Sequence, residues 1–232
     1  MNKLNITTSA YTITNPRDNF NKDRYLIKDN WFVIADGISS KGENGAKAAQ
    51  LACDVINETS LDDISSSKDL KFLLTDLSSQ IRNFGGGTTF TSICIKNDNL
   101  ILSHVGDSEC YIIYNNGDIK EITIPTTLAY SQYKQGVIEL KDLKTSYYSN
   151  VLISYLGSSK LDLNVQIEKI PLKNVAFVIL CSDGANIVST ERSRELILKD
   201  FENSSKNIAC LAAELGSRDD ITVLTVKFAH VV

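Results

Sequence analysis

The chain is poor in the residues that most often declare a function. Only two histidines occur among 232 residues, His104 and His230. Counting alone excludes a histidine-rich zinc site. Neither histidine stands near a nucleophile-elbow motif, so a Ser-His-Asp triad has no obvious place. Five cysteines are present, Cys53, Cys94, Cys110, Cys181 and Cys210, and none forms a C-x-x-C pair. Four lie inside apolar runs, where a thiol acts as a small hydrophobe. An odd, unclustered set reads as the reduced thiols of a cytoplasmic protein. There are only three prolines, and no linker divides the chain, so a single domain over residues 1–232 is expected. No run approaches the roughly 18 apolar residues of a spanning helix, and the start, MNKLNITTSAYTI, lacks the apolar core of a signal peptide. No insertion into a membrane is expected. The net charge of −4 argues against a nucleic-acid partner, which would favour a basic face. A basic peptide remains compatible with it.

Acid is what the chain has. With 28 aspartates and glutamates, any metal chemistry here is hard-cation chemistry with oxygen ligands. The hydrophobic share of 43% is ordinary for a globular domain. Apolar runs at 31–35 and 175–181 read as buried strands. Helical spacing appears over 45–57, with Ala48, Leu51, Ala52 and Val55 on one face, and over 67–82, with Leu70, Leu73, Leu74, Leu77 and Ile81. After Gly85-Gly86-Gly87 a run of strands follows at 88–95, 100–105 and 110–114, and Asn116-Gly117 turns into 118–123. Two helices are expected at about 190–202 and 205–215, the second stopping at Gly216, before a last strand at 221–228. Residues 125–162 carry no clear period and suggest a mobile segment. The order suggests an α+β layered architecture and not a doubly wound one.

Three apolar strands run straight into an aspartate: Ala35 into Asp36-Gly37, Val105-Gly106 into Asp107, and Cys181-Ser182 into Asp183-Gly184. A fourth acidic pair, Asp219-Asp220, precedes the last strand. Strand ends are rigid and can hold carboxylates at set separations. An adjacent glycine lets the backbone approach a ligand closely. If the ends converge, their like charges resist ionisation, and a divalent cation resolves the conflict. The competing reading is four separate turns, because Asp-Gly after a strand is common turn chemistry.

Taken in order, several segments resemble the motifs of the metal-dependent protein phosphatase family of the protein phosphatase 2C type. They are N-K-D-R at 21–24, V-I-A-D-G at 33–37, G-T-T at 87–89, H-V-G-D-S at 104–108, L-G at 156–157, L-C-S-D-G at 180–184 and G-S-R-D-D-I-T-V at 216–223. Together they span nearly the whole chain, which looks like a short, bacterial type of member. The resemblance implies a four-layer α-β-β-α sandwich around a central antiparallel β-sandwich. It implies a serine/threonine protein phosphatase that hydrolyses its substrate with a water activated between two divalent cations, Mn²⁺ or Mg²⁺. Asp36 would bridge the ions, the Gly37 carbonyl would bind one of them, and Asp183 and Asp219 would complete the cluster. Asp23 would sit behind it or bind through water, and Asp107 would serve a third, weaker ion. Arg17 matches the phosphate-binding arginine of the family if one residue is inserted before Asp23; otherwise Arg17 and Asp18 are an exposed loop pair. The partners implied are a phosphorylated protein and an opposing serine/threonine kinase, and the 125–162 segment corresponds to a variable flap.

The chain also departs from the family pattern. Lys22 stands where an acid or amide is usual, and Asp220 where asparagine is usual. The acid-His-Ser/Thr motif is missing around Pro125–Tyr130, and no histidine follows Asp36-Gly37. These departures keep open a regulatory pseudophosphatase that binds a partner without turnover. A hydrolase of small phosphoesters is a third reading. If Lys22 points into the cluster, Lys22→Glu should lower the Mn²⁺ requirement; if it is solvated, nothing should change. His104 and Ser108 read as structural, with Ser108 supporting Asp107.

Overall fold

The structure is a computed structural model, and it describes residues 4–159 and 163–230. Residues 160–162, the end of the expected flap segment, therefore lie outside the described residues. The elements, in chain order, are β1 (Leu4–Ile13), β2 (Arg24–Lys28), β3 (Trp31–Ala35), α1 (Glu43–Glu58), α2 (Ser67–Asn83), β4 (Phe90–Lys96), β5 (Asn99–Val105), β6 (Glu109–Tyr114), β7 (Ile119–Glu121), α3 (Leu128–Lys134), β8 (Gln166–Pro171), β9 (Val175–Cys181), α4 (Thr190–Lys199), α5 (Ser204–Glu214) and β10 (Ile221–His230). The strands form two sheets, ordered β1-β10-β9-β6-β7 and β2-β3-β4-β5-β8, with antiparallel pairing throughout.

Side-chain alternation builds the layers. In β3 every residue is buried, because both faces of its sheet are covered. Trp31, Val33 and Ala35 face one cluster with Ala52, Ile56, Leu74 and Leu77 of α1 and α2. Phe32 and Ile34 point the other way, into the space between the sheets, against Leu102, Ile112, Val178 and Leu224. In β9 and β10, Ile179 and Val223 turn outwards to Ile208, Ala209 and Ala212 of α5 and Ile197 of α4. The result is the expected α-β-β-α sandwich. Each fully buried Ile, Leu or Phe in these clusters contributes about 1.5–3 kcal/mol of transfer free energy.

Three strands escaped the reading of the sequence: β1, β2 and β8. Each lies at the edge of its sheet and is only partly buried along its length. An edge strand needs no continuous apolar run, so its sequence signal is weak. Within the 125–162 segment α3 forms, with Thr127 capping its start by accepting from the Tyr130 N–H. Helix α2 begins with a capping box in which the Asp69 carboxylate accepts the Ser65 and Ser66 N–H groups.

Candidate metal centre

Strands from both sheets end at one side of the sandwich, and the chain leaving them carries the acids. A cleft of about 240 Å³ is lined there by Asp36, Asp107, Asp183 and Asp219, with Ser39, Thr89 and Asn150 among its walls. Asp36 follows β3, Asp107 follows β5, Asp183 follows β9 and Asp219 precedes β10. Asp23 precedes β2 and reaches the same group from behind: its carboxylate neighbours Asp36 and its Oδ2 accepts the Ser182 hydroxyl at 2.7 Å. Residues up to 196 positions apart are thus gathered where sheet pairing brings strand ends together.

The scaffold around each acid is hydrogen-bonded. The Asp36 N–H donates to Thr89 Oγ1 at 3.0 Å, and its carbonyl accepts from the Thr88 hydroxyl and the Thr89 N–H. Ser108 Oγ lies 2.8 Å from Thr89 Oγ1, so Ser108 supports the backbone at Asp36 and not, as the sequence suggested, Asp107. The Asp23 N–H donates to Asn21 Oδ1, and Arg24 grips the carbonyls of Asn21 and Asp23. Two glycines allow close approach. A Cβ on Gly37 would meet the backbone of Gly45 at 2.5 Å, and one on Gly184 would meet the Asp220 carbonyl at 2.1 Å. Among the described residues, nothing donates a hydrogen bond to the Gly37 carbonyl.

The electrostatics follow from burial and crowding. Burial, then Asp23, Asp183, Asp107 and Asp219, push the Asp36 carboxyl well above the usual carboxylate range. Asp183 is raised well above it by burial and by Asp107, Asp219 and Asp23. Burial lifts Asp107 to about 7 and Asp23 to about 6, and Asp219 moves in the same direction. Asp23 Oδ1 and Asp183 Oδ1 are buried without a hydrogen-bond partner. An unmatched buried oxygen is costly, and a cation at this point would relieve both the repulsion and the lost bonds. The all-oxygen donor set suits a hard divalent ion. Among the described residues, no three His, Cys, Asp or Glu side chains close into a ready coordination shell. The donors are spread over the cleft, an arrangement that suits an ion such as Mg²⁺, which keeps several water ligands.

Lys22 is neither solvated nor free to face the cluster. It is 5% exposed, and its ammonium pairs with Asp18 and stands 3.6 Å from Asp220 Oδ2. Burial works against its charge, but Asp18 and Asp220 outweigh that and raise its pKa above the usual lysine value. Asp220 also accepts the Asn15 N–H at 2.8 Å and the Lys22 N–H at 2.7 Å. The two departures from the family pattern, Lys22 and Asp220, are therefore partners. The sequence alone kept them separate, since they stand 198 positions apart. We expect Lys22→Glu to set a third carboxylate against Asp18 and Asp220. It should cost about 3–5 kcal/mol in a urea melt, the usual penalty for breaking a buried pair. Adding Asp220→Asn should recover part of that. A single variant as stable as the parent would show that the pair does not hold the loop.

Arg17 lies on this fastened loop. Its side chain is exposed, and its N–H donates to Asn15 Oδ1 at 3.1 Å. The loop adjoins Asp219 through Asp220, but Arg17 does not line the cleft. His104 is fully buried, bonds Thr91 through Nδ1 at 2.8 Å, and is pushed down to about 4 by burial, which makes it a neutral core residue. All five cysteines are free thiols and four are buried.

The profile of the protein phosphatase 2C family matches residues 15–216. The chain belongs to that family. The serine/threonine phosphatase stp of Listeria welshimeri is 28% identical over 147 residues, which cover 62% of this chain and 57% of that protein. The chain thus spans little more than half of this curated relative. Solved structures extend the likeness to the whole fold. Serine/threonine phosphatase Stp1 from Staphylococcus aureus superposes with a TM-score of 0.86 at 20% identity, covering 96% of this chain and 94% of that one. The catalytic domain of the phosphatase PstP, solved with two manganese ions, superposes with a TM-score of 0.80 at 22% identity, covering 98% of this chain and 100% of that one. Among the described residues, no helix is long and apolar enough to cross a membrane.

Proposed function

We propose that the chain is a single-domain, metal-dependent phosphatase that removes phosphate from phosphoserine and phosphothreonine in proteins. The observation that carries this reading is the convergence of four aspartates from four separated segments on one cleft, with Asp23 behind Asp36, and with Asp183 and Asp23 each holding a buried, unpartnered oxygen. Asp36, which faces the other four, would be shared by two Mn²⁺ or Mg²⁺ ions. The Gly37 carbonyl, Asp183 and Asp219 would complete their protein ligands, with Asp23 behind Asp36. Asp107 would hold a third, weaker ion. When bound, such ions supply Lewis acidity towards a phosphoryl oxygen and ready ionisation of water near neutral pH. The manganese pair in the PstP catalytic domain supports the same choice of metal.

The chain's own residues do the rest. The acids would hold the ions, and the hydrogen-bonded frame from Thr88, Thr89 and Ser108 keeps Asp36 in place. Arg17 would swing over the cleft and pair with the phosphate in the bidentate manner of a guanidinium. Cys181, two residues before Asp183, is buried and raised well above the usual thiol range by burial, so it offers no thiolate nucleophile. The pairing of Lys22 with Asp18 and Asp220 supports the catalytic reading over the non-catalytic binding role that the departure at Lys22 favoured. The free thiols suit a reducing, cytoplasmic setting, where the chain would oppose a serine/threonine kinase.

The deciding experiment is release of phosphate from a phosphothreonine peptide in the presence of Mn²⁺, compared with small phosphate esters. No turnover with either Mn²⁺ or Mg²⁺ would overturn the enzymatic reading. Within it, Arg17→Ala should raise KM for the peptide by about tenfold with a smaller fall in kcat, as loss of a charge-assisted pair worth about 1.5–3 kcal/mol implies. Unchanged kinetics would leave Arg17 as a surface residue.

A further inference from the structure

Beside the cleft lies a larger cavity of about 530 Å³, which shares Asp107, Asp183 and Asn150 with it. We propose that this cavity is a specificity subsite that takes a lysine or arginine side chain flanking the phosphorylated residue of a protein substrate. The proposal rests on the phosphatase reading and adds to it the class of sequence that the centre selects.

The cavity runs from the metal centre along β6 and β7 and under the segment after α3. Besides Asp107 and Asp183, its acids are Glu109 and Glu121. Its rim is apolar and open: Ile124 is 46% exposed, Leu140 64% and Ile187 48%. A long side chain with an aliphatic stem and a cationic head matches that sequence of surfaces, stem on the rim and head on the acids. The volume falls within the range of pockets that take small ligands.

The chain itself displays the chemistry. Lys144, from the segment after α3, places its ammonium 3.0 Å from Glu109 Oε1 while its side chain stays 62% exposed. The other Glu109 oxygen accepts the Tyr111 hydroxyl. Glu121 pairs with no basic side chain among the described residues. One ammonium thus faces two carboxylates, and the surplus acid is Glu121. An apolar occupant would strip water from that carboxylate without replacing its bonds. An acidic occupant would be repelled. A basic one would pair with Glu121 directly, and with Glu109 when Lys144 swings out to solvent.

The test reads binding without turnover. Fluorescent peptides carry a non-hydrolysable phosphonate analogue of phosphothreonine flanked by Arg, Ala or Glu, and anisotropy gives their affinities for the full chain with Mn²⁺. The Arg peptide should bind roughly fivefold tighter than the Ala peptide, as a partly shielded ion pair implies, and the Glu peptide should bind more weakly than either. Glu121→Gln should bring the Arg and Ala peptides to within about twofold of each other, on the same reasoning. Lys144→Ala should widen the preference by freeing Glu109. Equal affinities in the parent, or an Arg preference untouched by Glu121→Gln, would overturn the subsite. Hydrolysis of para-nitrophenyl phosphate, which has no flanking residue, reports on the metal centre separately. Its absence would count against the phosphatase reading and leave the peptide comparison to decide the subsite.

Discussion

Asp36→Asn and Asp183→Asn each lower kcat/KM on a phosphothreonine peptide by about 10²–10³-fold or more, since each removes a ligand charge from ions expected to supply several kcal/mol of transition-state stabilisation. The fold survives both changes. The Asp36 backbone is held by Thr88 and Thr89, not by its carboxylate. Gly184 and Ser182 fix the turn at Asp183 through close packing on Asp220 and the bond from the Thr222 N–H to Ser182 Oγ. The metal-free variants should melt no lower than the metal-free parent, because each substitution removes one member of a mutually repelling, buried set. Activity and melting temperature thus move independently. Near-normal Mn²⁺-dependent turnover in either variant would exclude the two-ion centre. A melting temperature several degrees lower in EDTA would show that the carboxylate had been a structural acceptor.

Chelation should have the second large effect. EDTA abolishes turnover, Mn²⁺ or Mg²⁺ restores it, and Zn²⁺ restores less, because the proposed donors are all oxygens. The same treatment changes stability in a pH-dependent way. Burial raises Asp23 to about 6 and Asp107 to about 7 in the folded chain, and burial with the neighbouring carboxylates holds Asp36 and Asp183 well above the ordinary carboxylate range. Between that range and neutral pH the folded chain binds more protons than the unfolded one. Stability of the chelated protein therefore falls as pH rises through this window, and the penalty is absent at lower pH. Mn²⁺ at a hundred times its Kd adds about 2.7 kcal/mol. For a domain of this size that raises the melting temperature by about 5–10 °C near neutral pH. The gain should shrink towards pH 4, where the acids bind protons instead. A chelated protein whose melting temperature is flat or rising from pH 5 to 7.5, or unmoved by Mn²⁺, would contradict the cluster.

The layered architecture was legible because its central strands are buried on both faces. Trp31–Ala35 and Val175–Cys181 had to be almost wholly apolar, and helices α1 and α2 had to present one apolar face. Those signals are local, and period and length express them directly. The edge strands β1, β2 and β8 carry no such requirement. They exist because a neighbour offers a free row of N–H and C=O groups, a fact of pairing that no short window records. The candidate site divides in the same way. Asp36, Asp107, Asp183 and Asp219 were marked by their places at strand ends, and Asp23 only by the order of the motifs, which pointed to the family. What Lys22 does was not marked, since its partners are Asp18 nearby and Asp220 at the far end of the chain. Nor was the cavity with Glu109, Glu121 and Lys144, because it is made by the segment after α3 folding over two strands. By itself the sequence determined which residues must be inside and which acids stand at the ends of rigid strands, because those are demands of nearest-neighbour geometry and of water. Only the tertiary structure decided which charges meet, because a buried charge is stabilised by the groups that surround it in space, and these come from any distance along the chain.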